Sequence, residues 1–373
     1  MLKNEIIIIN TSMPLRKYMK RRPTHYAELL SFSNRVINIS SAPLKERYAY
    51  NEPVSWEEII FFRFPGTRYT IVRKVNNLLY KRFVKRFFNG LGKKPIIWHF
   101  YSGDQELYKD IEAKCVILEI CDDTPEFFAR DPKKYNQVKK NEDELMKRAD
   151  VVFTISDYLK QKKEGTSFDI KVVRNGVAVE DFISVPNLEK KSSDELFHVK
   201  TPIIGYAGAI SHWFDFDLVV GLAINHSNFS FVYLGRISDD NKPVIKKLER
   251  YENIHFLGEK VYADLPQYLK YFDIGIIPFK IDELTNSVNP IKLYEYLAAG
   301  IPTISTPLPE VKLYKTGGLI ETPESLEAWN DSIKGILNSS SRQSIVKRCQ
   351  SLAKHNSWHS RVEEASGYIE TVL

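Results

Sequence analysis

The chain has 373 residues, 43% of them hydrophobic, with 20 Tyr, 21 Phe and 5 Trp; that is enough apolar material for two cored domains and too much for a disordered chain. Its three cysteines, Cys115, Cys121 and Cys349, are too few and too scattered for a disulfide framework or a zinc site, and no stretch approaches the apolar length of a membrane span. The net charge of +6 is uneven: residues 1–186 hold 33 Lys and Arg against 24 Asp and Glu, a balance of +9, while residues 187–373 hold 20 against 23, a balance of −3, so the first half is expected to face something negative.

In chain order, short β-rich apolar runs alternate with helical patterns. The opening MLKNEIIIIN has too short an apolar run for a signal peptide and reads as a strand. The first half gives strands at 6–9, 35–39, 95–101, 115–120, 150–155 and 170–174, with helices at 26–31, 105–113 and 136–148. The second gives strands at 202–206, 230–234, 253–256, 273–278, 302–305 and 318–320, with helices at 216–224, 242–251, 265–271 and 291–299. Unbroken apolar runs separated by helices predict parallel sheets covered on both faces. The stretch 186–200 is polar, with Pro, Ser and mixed charge, and suits a linker. The predicted architecture is two tandem Rossmann-like, doubly wound parallel-sheet α/β domains facing a cleft: an N-terminal domain over 1–185, a linker over 186–200, a C-terminal domain over 201–356 and a terminal helix over 357–373.

Between Ile59 and Gly103 there is no acid and there are ten bases, among them Lys81, Arg82, Lys85 and Arg86. Val72, Val75, Leu79, Phe83 and Phe87 fall on one helical face, with Lys74, Lys81 and Lys85 roughly opposite. Such a helix suits an anionic membrane surface, or a packed position with a solvated basic face. No reader motif accompanies the charge, so no nucleic-acid partner is expected.

The sharpest signal is NPIKLYEYLAAGIPT, residues 289–303. Asn289 suits a helix cap, Pro290 a first turn and Gly300 a stop, and Pro302 forbids continuation. The strand-like DIGIIPF precedes it, so the helix opens at the carboxyl edge of a parallel sheet, where ligands bind. The free N–H groups around Ile291 and the Lys292 ammonium make an anion site fit for a pyrophosphate. Glu295 shares that face and can accept from ribose hydroxyls or pair with Lys292. Gly208, after an earlier strand, permits close backbone approach. Arg236 ends a strand at the same edge, where a fixed cation could assist a pyrophosphate or join a surface ion pair. The absence of a P-loop and of G-x-G-x-x-G sets aside P-loop kinases and nicotinamide enzymes. No metal-ligand spacing occurs, and neither a metal nor another cofactor is expected.

Residues 289–303 resemble the donor-binding helix of GT-B glycosyltransferases. In the same order, VVRNGV (172–177), IIGYAGAISHWFDF (203–216), FVYLGR (231–236), the run 253–279 and Ser357-Trp358 resemble further segments of that family. The likeness covers the second half well and the first loosely. It is nearest to bacterial transferases that build cell-surface polysaccharides, including the teichuronic-acid type. The resemblance implies a nucleotide-sugar donor, expected to be a UDP-sugar, on the second domain, with the Lys260, Val261 and Tyr262 loop meeting the base. It implies a glycan or lipid-pyrophosphate-linked acceptor on the first domain, and a terminal helix that returns to that domain. It places the protein in the cytoplasm, peripheral on the inner face of the cell membrane. Ser287 stands where many relatives carry a glutamate that contacts the donor sugar.

Transfer to an acceptor hydroxyl also calls for a base. Asp122 and Asp123 follow the strand CVILEI at the ligand edge; adjacent side chains point apart, and close carboxylates raise one another's pKa. Asp122 is preferred, by resemblance to an Asp in a similar loop of related transferases, with Asp123 second. His25, in RRPTHYAELL after a predicted Thr24 cap, is the rival, and Arg21 and Arg22 beside it suit a lipid pyrophosphate or an acidic sugar. Two other readings share this fold: a non-hydrolysing nucleotide-sugar epimerase, and a glycan- or nucleotide-binding scaffold without turnover.

Overall fold

The computed structural model describes residues 1–11, 13–15, 20–46, 53–164, 169–339 and 341–373. Unit 1 comprises Met1–Arg174 with Trp358–Leu373, and unit 2 comprises Asn175–Ser357. The strands of unit 1 are β1 (Ile6–Asn10), β2 (Arg35–Pro43), β3 (Glu57–Arg63), β4 (Ile96–His99), β5 (Cys115–Ile120), β6 (Val151–Thr154) and β7 (Ile170–Val172). Those of unit 2 are β8 (Ile203–Ala207), β9 (Ser230–Leu234), β10 (Ile254–Phe256), β11 (Ile274–Ile277), β12 (Thr303–Ser305) and β13 (Ile320–Glu321). In chain order the helices are α1 (Arg22–Ser31), α2 (Thr70–Asn89), α3 (Pro132–Met146), α4 (Asp157–Lys163), α5 (Val179–Phe182), α6 (Phe216–Asn225) and α7 (Lys242–Leu248). There follow α8 (Leu265–Leu269), α9 (Glu283–Asn286), α10 (Ile291–Ala298), α11 (Pro309–Lys312), α12 (Leu326–Leu337), α13 (Arg342–Lys354) and α14 (Trp358–Glu370).

Both sheets are parallel throughout, in the orders β3-β2-β1-β4-β5-β6-β7 and β10-β9-β8-β11-β12-β13. The two doubly wound, Rossmann-like sheets expected from the apolar runs are therefore present. Ile7, Ile8 and Ile9 are fully buried in succession, which requires cover on both faces of β1. The strand order reverses between β1 and β4 in unit 1 and between β8 and β11 in unit 2. The crevice at each reversal is the natural ligand position.

Helices α4 and α12 have no counterpart in the sequence reading, and four further departures bear on the units and their faces. Strand β3 has no counterpart in the predicted pattern, because as an edge strand it stays half-buried along most of its length. The 105–113 pattern yields only a 3-10 turn at Gln105–Leu107. Residues 186–200 do not link the units. Leu196 is buried in the unit 2 core, and Asp194 holds Lys270 and the Tyr271 hydroxyl, each at 2.7 Å. The chain instead crosses at Arg174–Asn175 and again at Ser357–Trp358, so α14 packs in unit 1, against α1.

The fourth departure is the face of α2. Asn76, Tyr80, Val84 and Phe88 are buried, four residues apart, with Phe83 and Phe87 beside them. Val75, assigned to the apolar face from spacing alone, is exposed. The Asn76 amide fixes this rotation by bonding both backbone groups of Phe64, accepting from its N–H at 2.9 Å and donating to its carbonyl at 3.2 Å.

Candidate functional site

In unit 2 the site grows from the turn after β11. Helix α10 begins at Ile291 with Pro290 in the capping position and no side-chain cap; the Leu293 N–H turns back to the Pro290 carbonyl at 3.1 Å, so the amides that can meet a ligand are those of Ile291 and Lys292. Its far end is closed by Gly300 at φ +73°: the Gly300 N–H bonds Leu297 O at 3.0 Å, and the Ile301 N–H bonds Tyr296 O at 2.8 Å.

Lys292 lies in that first turn, and its alkyl chain crosses directly over Gly208, just past β8. A Cβ at Gly208 would fall 1.9 Å from Cε of Lys292, and one at Gly235, past β9, would fall 1.9 Å from the Gly208 carbonyl oxygen. Glycine at 208 and 235 is thus what lets three carboxyl-edge segments meet. The Lys292 ammonium stands 5.5 Å from the ring centroids of Tyr206 and Phe279. Burial lowers its pKa below that of an ordinary lysine, with Glu295 pulling the other way. Glu295, one turn on, is 7% exposed; burial raises its carboxyl, opposed by Lys292 and by a hydrogen bond from Tyr262. A cation, helix-start amides and a carboxylate within one turn can hold a diphosphate and hydroxyls attached to it.

The other residues predicted for this site fall into place unequally. Arg236 is exposed at the same edge, and its carbonyl accepts from the Ile210 N–H at 2.9 Å. Of the 260–262 loop, only Tyr262 reaches Glu295. The Lys260 ammonium is held by Glu195 at 2.7 Å over the Tyr268 ring, and Val261 is exposed. Asn289 does not cap α10. Its Oδ1 accepts from the Asn175 N–H at 3.0 Å, and its Nδ2 donates to Glu310 at 2.8 Å and to the Tyr294 hydroxyl at 3.0 Å. Pro290 takes the cap position instead of the first turn. Ser287 is fully buried, its hydroxyl donating to the Leu284 carbonyl at 2.6 Å, so it offers nothing in place of a glutamate.

In unit 1, Asp122 and Asp123 diverge as adjacent side chains must. Asp123 is 1% exposed and pairs with Lys162 at 2.7 Å and Lys163 at 3.4 Å, a structural knot that also includes Glu142. Asp122 reaches solvent and lines a cavity of about 80 Å³ with Tyr101, Ser102 and Cys121. Crowding by protein around it, and then the Asp123 carboxylate, raise it to about 7, with Arg21 opposing; contact with solvent tempers that shift. Asp122 is the one of the pair placed to exchange a proton.

His25 and Arg22 are corrections. Both lie inside α1 and not in a loop, and Thr24 is no cap. His25 is 4% exposed and stacks on Trp358 of α14, centroids 4.9 Å apart; burial, with Lys20, lowers its pKa to about 3. It is a neutral packing residue there, not a base. Arg22 is 3% exposed and pairs with Glu119 at 2.6 Å, with Nη1 donating to the Arg174 carbonyl at 2.8 Å, so it has no side left for a lipid pyrophosphate. Arg21 is part-buried close to Asp122. Lys81 pairs with Asp110 at 3.3 Å, whereas Arg82, Lys85 and Arg86 have no ion pair among the described residues. No group of three metal-ligating side chains gathers among the described residues.

Two polar clusters went unseen in the sequence. At the unit 1 reversal, Asn10 Nδ2 bonds Asp104 at 2.8 Å and His99 Nδ1 at 2.9 Å, while the Tyr108 hydroxyl donates to Asn10 Oδ1 at 3.3 Å. Burial raises Asp104 to about 7 and lowers His99, also beside Arg148, to about 3. In unit 2, the Tyr294 hydroxyl donates to the Tyr314 hydroxyl at 3.3 Å and Tyr314 donates to Asn356 Oδ1 at 3.0 Å, extending the Asn175–Asn289 pair. The only signal for the first cluster was an Asn closing an Ile run. The second joins residues too far apart in the chain to leave any.

Residues 201–339 match the family model for glycosyl transferases group 1. TuaH of Bacillus subtilis strain 168, named as a teichuronic acid biosynthesis glycosyltransferase, is 28% identical over 219 residues, covering 58% of this chain and 53% of TuaH. The chain thus matches about half the length of that curated relative. Among solved structures, HepE of Anabaena in complex with UDP and glucose superposes with a TM-score of 0.70 at 13% identity, covering 98% of this chain and 99% of HepE. Sucrose-phosphate synthase from Thermosynechococcus elongatus gives 0.74 at 12% identity, covering 99% of each.

Proposed function

We propose that this chain, a member of the GT-B-fold glycosyltransferase family, moves a sugar from a nucleoside diphosphate, UDP by preference, to a lipid-linked or growing surface-polysaccharide acceptor. The observation that carries the reading is Lys292 laid over Gly208 beside Glu295, at the opening of α10 and the reversal of the unit 2 sheet. Lys292 and the first amides of α10 neutralise the diphosphate as it departs, with Arg236 within the same edge. Glu295, steadied by Tyr262, accepts hydrogen bonds from donor hydroxyls. UDP is favoured because HepE, of the same fold, was solved with it. The polysaccharide acceptor is favoured by the name of TuaH. An acceptor carried on lipid would be met at the inner face of the cell membrane by a cytoplasmic, peripheral enzyme.

Calorimetric titration with UDP, GDP, ADP and CMP tests the donor site. Saturable binding of UDP, and weaker or no binding of the rest, is expected. No binding of any nucleotide by the folded protein would remove the reading. Turnover is expected to survive a chelator, because the diphosphate charge is met by Lys292 and backbone amides; loss restored by Mn²⁺ would refute that.

Asp122 serves as the base for the acceptor hydroxyl. A base works deprotonated, so kcat/KM should rise with pH through the pKa of Asp122, which its surroundings and the Asp123 carboxylate hold above the usual carboxylate range. Asp122→Asn should lower kcat/KM by about 10²–10⁴-fold and remove that acid limb. A variant that keeps the limb would shift the role to another group, Asp104 first.

A further inference from the structure

We infer that the outward face of α2 is a docking surface for an anionic lipid bilayer, divided into an inserting end and an electrostatic end. Ile71, Val75 and Leu78 stand four and three residues apart on one stripe of the helix, 77%, 46% and 52% exposed. Phe64 and Tyr69, in the segment leading into α2, add two more exposed apolar side chains to the same end. Further along the same stripe lie Arg82, Lys85 and Arg86, all exposed, with Lys74 at its margin. None of these four bases has an ion pair among the described residues, unlike Lys81, Lys93 and Lys94 nearby. The opposite stripe, Asn76, Tyr80, Val84 and Phe88, is spent on the core.

A large exposed apolar cluster is costly in water and marks a surface that something covers. Here the cover must also be negative, since no acid occurs from Ile59 to Gly103. A bilayer of anionic lipid meets both demands at once: side chains of this size sink into the headgroup and acyl boundary, and bases around them meet the surface potential. Beside the C-terminal half of α2, a shallow groove with an apolar floor of Phe83, Phe87 and Leu91 is rimmed by Arg35 and Arg86, with a volume of about 550 Å³. It suits a headgroup phosphate with the start of an acyl chain. A second groove, past Lys85 and Phe88, is also lined by Asp110 and Glu112, and its Lys93 and Lys94 are engaged in ion pairs, so it is no such site.

The polarity of the helix gives the docking a direction. Strand β3 ends at Arg63 and the chain turns into α2 within six residues, so the inserting end of α2 lies at the carboxyl edge of the unit 1 sheet. Asp122 and Asp104 follow strands at that same edge. Insertion would therefore bring the proposed acceptor edge of unit 1 to the lipid surface, with the basic half of α2 lying along it. The surface itself does not depend on the transferase reading, since binding is measured without donor.

The test is sedimentation of the full chain with vesicles of pure phosphatidylcholine and with vesicles in which about a third of the lipid is phosphatidylglycerol. Binding to the anionic vesicles alone is expected, weakening as salt rises. Reversing Arg82, Lys85 and Arg86 together to Glu should lower the partition coefficient about a hundredfold or more. Replacing Ile71 and Leu78 together by Ser should lower it several-fold while leaving the salt dependence as it was. UDP affinity and thermal unfolding of each variant report whether it folds, and the salt titration of the unmodified chain stands if one does not. Equal binding to both vesicles, unchanged binding by both variants, or a preference of the same bases for an oligonucleotide over the anionic vesicles would overturn the inference.

Discussion

Lys292→Ala is expected to weaken UDP binding at least tenfold, about 1.4 kcal/mol, and to cut turnover by a further 10²–10³-fold or so, the usual cost of losing a preorganised partner for developing charge. The ammonium lies in a part-buried place and gives up hydration to be there, as its lowered pKa records. A diphosphate bound there would restore what burial removes. Gly208→Ala is expected to give nearly the same loss with the lysine still present, because its methyl group would occupy the path of the Lys292 chain. Since both changes act on one contact, the double variant should be little worse than either single one. Calorimetry with UDP and a coupled assay of UDP release measure both. Wild-type affinity in Lys292→Ala would move the diphosphate elsewhere.

Arg22→Met should destabilise the protein by about 3–5 kcal/mol, the cost of leaving one partner of a buried ion pair behind. The orphan is Glu119, buried and bonded otherwise, among the described residues, to the Trp98 indole at 2.9 Å. Burial already raises the Glu119 carboxyl while Arg22 holds it down; without Arg22 it rises further. A group whose pKa is higher folded than unfolded stabilises below its unfolded value and loses that contribution as pH climbs through the folded one. The variant should thus lose more stability at pH 8 than at pH 5, and adding Glu119→Gln should recover part of the loss. Denaturant unfolding at the two pH values decides it. An unfolding midpoint unchanged at both would return Arg22 to the ligand-binding role that its place near Arg21 and His25 suggested.

That pair shows where the sequence was readable and where it was not. Both sheets could be read because an unbroken apolar run has few ways to be buried, and because Gly300 and Pro302 bound a helix unambiguously. The placement of Lys292 and Glu295 on one face at the start of α10 could be read because it follows from position within one helical turn. Arg22, His25 and Asp123 were misplaced for a common reason. Each is silenced by a partner distant in the chain, Glu119, Trp358 and Lys162 respectively, and spacing carries no trace of such pairs. The face of α2 failed differently. A helix rich in both Phe and bases offers two plausible stripes, and the choice falls to Asn76, whose polar bonds no hydrophobic pattern would weigh.

The string of side chains from Asn175 through Asn289, Tyr294 and Tyr314 to Asn356 has a practical consequence for building chimeras. Its two ends are the residues beside the two points where the chain leaves one unit for the other, and its middle lies just before α10. A donor module cut at the polar stretch 186–200 would leave Asn175 on the recipient and strip Asn289 of the amide it accepts from. A module cut at 174 and 357 carries the whole string intact. Exchange of donor specificity between relatives should therefore succeed with the second pair of junctions and fail with the first, although the first looks the more natural place to cut.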